Sequence, residues 1–158
     1  MGKPRTAAKR RKLHFNSLDD ILNDAKTLAA TGVMTSGGWS AGQIVGHITT
    51  FIHGAVDGLP FTLPLPARIF GRIGRRVFLA MGFPRGIKIP ASVPATIRQP
   101  EDMTLEVAVE RLTQAIQKAE QQRMTGISPL MGQLTHGQWV KFHCRHAELH
   151  FSFMRPNE

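Results

Sequence analysis

The sequence has little cysteine and no long apolar run, and both absences exclude something. Cys144 is the only cysteine among 158 residues, so no disulfide can form within the chain. That fits a reducing compartment, and a cytoplasmic protein is expected. No apolar run approaches the roughly 20 residues that cross a bilayer. The N-terminal stretch MGKPRTAAKRRKLHF has basic residues but no apolar segment behind them, so it does not read as a secretory signal. There is no internal repeat and no low-complexity tract.

Acids are missing where the charge is highest. The formal net charge is +9, yet Lys3, Arg5, Lys9, Arg10, Arg11 and Lys12 all fall in residues 1–12, which hold no acid. The remainder carries 14 basic against 11 acidic residues. Residues 1–12 therefore read as a solvated, disordered basic tail, and residues 13–156 as one domain of mildly basic character. With so little charge on the folded part and no DNA-binding helix pair, nucleic acid is not the expected partner.

What is present is helical periodicity. Four segments show it, at about 18–31, 41–57, 105–123 and 136–154. Ser17 and Thr104 sit where N-caps belong. Ser40 with Gln43, and Thr135 with Gln138, have the spacing of capping boxes. Trp39 precedes the second helix and is placed to staple onto Ile44. Gly58 with Pro60, and Pro156, are the expected stops. Seven of the ten prolines lie between the second and third helices, around a shorter helix at about 67–81. The predicted fold is all-α: a four-helix bundle with a long Pro-rich crossover between helices 2 and 3 containing a short extra helix. Arg68, Arg72, Arg75 and Arg76 would share one face of that extra helix, either as a solvated face or as an anion-binding rim over a pocket.

The segment WVKFHCRHAELHFSF sets His143, His146 and His150 on the last helix. Trp139, Phe142, His146, Leu149 and Phe153 form its inward stripe, and His150 follows His146 by one turn. Two histidines at i and i+4 can share one metal ion. The second helix offers a third ligand, because His47 lies within the apolar stripe Ile44, His47, Ile48, Phe51, Ala55, while His53 should point outward. The candidate metal ligands are His47, His146 and His150, weighed against core histidines with ordinary hydrogen-bond partners. His143 and Gln43 are candidates for supporting the ligands or a bound group. HAELH is not the zinc-protease pattern H-E-x-x-H: Glu148 is two residues from each histidine and faces away, so it cannot serve a water held there. Cys144 faces the same way as Glu148 and reads as structural.

WSAGQIVGHI in the second helix and HAELHFSF in the fourth resemble the DinB-like superfamily of metal-binding four-helix bundles. More closely, RRKLHF, DGLPF, GIKIP and QWVKFHCRHAELHFSF, in that order over residues 9–156, are similar to a bacterial family within it that has a C-terminal HAELH motif. The resemblance implies a divalent metal on three histidines, at His47, His146 and His150. It also implies a homodimer, and a small-molecule substrate joined to a low-molecular-weight thiol.

Three neutral imidazoles leave an ion with its full charge and an open position, the composition of a catalytic site. Zinc or nickel suits the set best, and iron is compatible. No inward carboxylate is evident, which favours a metal-dependent thiol transferase over a metal-dependent hydrolase. The alternatives are a non-catalytic, metal-stabilised binding or stress protein, or a surface binder using the basic tail and the arginine face. Phe61, Leu63, Ile87 and Ile89 in the crossover are expected to wall the substrate pocket or close the core.

Overall fold

The computed structural model describes residues 9–157. The protein is mostly helical, with four long helices and three short ones among the described residues. The long ones are α1 (Leu18–Thr31), α2 (Ala41–Asp57), α6 (Leu105–Gln122) and α7 (His136–Phe151). Each starts where its cap chemistry dictates. Ser17 Oγ accepts from Asp20 N–H, and Thr104 Oγ1 accepts from Val107 N–H. Both capping boxes close reciprocally, Ser40 with Gln43 on α2 and Thr135 with Gln138 on α7. Gly58 ends α2 at φ 93°, a conformation that favours glycine.

The four long helices share one core, in which Ile21, Ile48, Ile52, Leu112, Trp139 and Phe151 are almost wholly buried. Packing is most extensive between α2 and α6. Gly42 permits part of it, since a Cβ there would collide with the Met103 carbonyl. Gly126 does the same elsewhere. Its N–H donates to Ala55 O at 2.8 Å, its carbonyl accepts from Trp139 Nε1 at 3.0 Å, and a Cβ would lie 2.9 Å from Ala55 O.

The crossover is more structured than the single short helix expected. It forms α3 (Leu65–Ile73), α4 (Arg75–Met81) and a single turn, α5 (Ala95–Arg98). The break falls at Gly74, where a Cβ would come within 2.6 Å of the Phe78 ring. Arg68 and Arg72 therefore lie on α3, and Arg75 and Arg76 on α4. Leu65, Ile69, Phe70, Ile73, Val77 and Met81 are exposed along this pair.

Two further expectations are corrected. The last helix stops at Phe151, not 154, because the chain extends into strand β4 (Met154–Pro156), which pairs antiparallel with β1 (Val33–Thr35). Ser36 N–H to Phe153 O and Asn157 N–H to Gly32 O continue the clasp at 2.9 and 3.0 Å. A second two-stranded pairing, β2 (Ile127–Ser128) with β3 (Gly132–Gln133), precedes α7.

Arg10 and Arg11, read as part of the solvated tail, are instead tied to the fold. Arg10 donates to Ser152 Oγ and Leu149 O and covers the Phe153 ring at 3.8 Å. Arg11 pairs with Asp24 at 2.8 Å. Residues 1–8, the rest of that tail, lie outside the described residues. No helix among the described residues is long and apolar enough to cross a membrane.

Candidate metal centre

α2 and α7 bring His47, His146 and His150 together. One ligand atom from each lies within 4.8 Å of the others. The ring centroids form a near-equilateral triangle: 4.9 Å from His47 to His146, 4.6 Å from His47 to His150 and 4.8 Å from His146 to His150. His47 and His146 are buried and His150 nearly so. His47 Nε2 and His146 Nε2 are 3.2 Å apart. Two nitrogens bound tetrahedrally at the usual zinc–imidazole distance would be separated by about 3.3 Å, so this spacing fits an ion between them.

His47 Nδ1 and His146 Nδ1 are buried without a hydrogen-bond partner. Core histidines retained for polar structure would have partners on both nitrogens. His143, outside the triad, is unpartnered on both nitrogens as well, so it is the convergence of three rings that sets the cluster apart.

The environment holds the rings neutral. Burial, and then His150, lower His47 to about 3, with a smaller opposing effect from the Ile97 backbone. Burial, and then Arg10, lower His150 to about 4. Burial, and then His150 and His47, hold His146 well below the ordinary range. Neutral imidazoles are the form that binds metal, so near neutral pH no imidazolium proton competes with an ion.

Aromatic rings fix the triad's orientation. Trp39 stacks on His150 at 5.6 Å and 19°, and leans on His47 at 5.0 Å. Phe51 packs edge-on to His146 at 4.7 Å. Trp39 was expected only as a helix staple; nothing in its local spacing reports that it reaches α7.

Other expected residues are placed elsewhere. Gln43 accepts from Ser40 N–H and donates to Pro100 O at 2.8 Å, which ties the crossover to α2 and occupies its amide. His143 is fully buried, stacks on Trp139 at 5.4 Å and 17°, and makes no hydrogen bond through either nitrogen. Burial pushes it down to about 3. His53 is only half-buried, on the outer side of α2. Glu148 does face away: it accepts from Phe15 N–H at 2.8 Å and pairs with Arg145 at 3.1 Å. Cys144 is buried, and burial raises its thiol to about 11.

Above the triad lies a cavity of about 550 Å³. His47, His146 and His150 line it, together with seven of the chain's nine phenylalanines. Phe61, Leu63, Ile87 and Ile89 from the crossover are all among its walls. Its cationic lining residues are Arg10, Arg85 and Lys88, not the arginines of α3 and α4, and it has no acidic lining residue. Arg68 and Arg72 instead border a smaller cavity of about 260 Å³ beside β2 and β3.

Fold and site together define a mostly helical protein with three convergent histidines under an apolar pocket. Residues 7–157 match the family described as Protein of unknown function (DUF1569), and the chain belongs to that family. No curated protein and no solved structure matches it.

Proposed function

We propose that this is a divalent-metal-binding protein of DinB-like, four-helix-bundle type, acting as a metal-dependent transferase that joins a low-molecular-weight thiol to a small-molecule substrate. The observation that carries the metal reading is the 3.2 Å approach of His47 Nε2 to His146 Nε2, with His150 completing the set. His47, His146 and His150 would hold the ion. Zinc or nickel suits three imidazoles, and iron is compatible. When bound, such an ion supplies a Lewis acid that lowers the pKa of a thiol or water at its open position.

The chain's own residues do the rest. The phenylalanine walls exclude water and give an apolar substrate a surface to bind. Trp39 and Phe51 keep the imidazoles oriented. The pocket lining contains no carboxylate, and Glu148 is engaged by Arg145 and Phe15, so no general base stands ready for hydrolysis. Transfer is preferred because the DinB-like resemblance implies a low-molecular-weight thiol. The homodimer implied by the resemblance belongs to this reading and is checked by sedimentation.

The test is a screen of the metal-loaded protein with small electrophiles and thiols, beside His146→Ala. Thiol-dependent turnover lost in a folded variant supports the reading. Full activity in metal-free protein would end it. Metal without turnover would leave a non-catalytic, metal-stabilised binding protein.

A further inference from the structure

The pocket's charge is one-sided. From residue 58 to residue 100 the chain has seven arginines and lysines and no acid. Two of these cations, Arg85 and Lys88, are exposed and border the pocket, so they stand at its mouth. Arg10 joins them from the N-terminal segment. Its Nε and Nη2 are anchored on Ser152 and Leu149, its plane covers Phe153, and Nη1 has no bond among the described residues. Arg85, which lines the same pocket as Arg10, has no hydrogen bond or ion pair among the described residues either.

Two guanidiniums on one pocket that has no acidic lining residue leave its positive charge uncompensated. An anion placed there offsets that charge and uses the free donors. Apart from the three cations, the three histidines and Ser128, the lining is apolar or glycine.

We propose that the pocket takes an apolar small molecule bearing one carboxylate, with the carboxylate held by Arg10 and Arg85 and the apolar body lying along the phenylalanine walls beside His146 and His150. This names the substrate class of the metal centre and rests on that reading for its catalytic meaning, but the binding itself does not need the metal. Planar guanidiniums match a carboxylate in two-point geometry. The same cations exclude positively charged amphiphiles.

The experiment is isothermal titration of chelator-treated, full-length protein with decanoate, decanol and decyltrimethylammonium. Decanoate should bind roughly 10- to 100-fold more tightly than decanol, the range of a charge-assisted hydrogen bond. Decyltrimethylammonium should bind more weakly than decanol. Arg85→Gln, at an exposed side chain with no bond to lose, should cost much of the decanoate advantage and leave decanol binding alone. The double change R10Q/R85Q should abolish the advantage. Equal affinity for decanoate and decanol overturns the proposal. So does decanoate affinity that ignores both arginines, or that appears only with added zinc and vanishes in His146→Ala, since the carboxylate would then sit on the ion. Because the titration is metal-free, failure of the metal reading would leave the decanoate result standing.

Discussion

Glu148→Ala separates the two roles a glutamate between His146 and His150 invites. Its carboxylate is about one-sixth exposed and pairs with Arg145, whose side chain is 9% exposed, at 3.1 Å. It also accepts from Phe15 N–H at 2.8 Å. Truncation leaves a nearly buried guanidinium without its counter-ion and a main-chain N–H without its acceptor. Breaking a buried pair from one side costs about 3–5 kcal/mol. Arg145 keeps its bond to Phe15 O at 2.7 Å, and Glu148 is not wholly dry, so a smaller loss is expected here. We predict about 2–3 kcal/mol, or a fall in Tm of about 4–12 °C for a chain of this size. Thermal unfolding of wild-type and variant protein, with metal content measured on the same samples, is the assay. Glu148→Gln should lose less, because the amide oxygen can still accept from Phe15. Metal binding should be unchanged in both. An unaltered Tm together with lost metal or activity would refute the reasoning and return Glu148 to the site.

Three other outcomes follow from the same structure. His143 is buried at about 3 against an ordinary 6.5, so below pH 6.5 the unfolded chain takes up a proton that the folded chain refuses. Stability of metal-free protein should fall as pH drops from 6.5 towards 3, with His143 contributing on the order of 3 kcal/mol by pH 4, and His143→Phe should flatten that slope in urea unfolding. Cys144, with its thiol raised to about 11, should resist iodoacetamide in the native protein at pH 8 and react once denatured; fast native alkylation would contradict its burial. Trp39→Ala removes the ring stacked on His150 and should weaken metal binding roughly 2- to 10-fold, the worth of an aromatic contact, in a chelator competition.

What the sequence made legible was local. Ser40 with Gln43 and Thr135 with Gln138 announce helix starts because a capping box is closed within four residues, and both close as expected. His146 and His150 read as neighbours because one helical turn separates them, and His47 because it interrupts an apolar stripe. What stayed hidden depends on partners far along the chain. β1 and β4 are three residues each, too short for a strand pattern, and exist because they pair with each other. Arg10 and Arg11 look like a solvated tail until Ser152 and Asp24 come within reach, from 142 and 13 residues away. Gln43 was free to be read as a site residue because its partner, Pro100 O, is 57 residues on. The kink at Gly74 follows from the position of Phe78 against the turn before it, which periodicity does not report.

The central claim is that His47, His146 and His150 hold one divalent ion. The most direct measurement is metal content by mass spectrometry on purified, untagged protein beside His47→Ala and His146→Ala. Near-stoichiometric metal in the wild type, lost in both variants while helicity survives, is the predicted result. No metal in any of the three proteins, or equal metal in all of them, would contradict it.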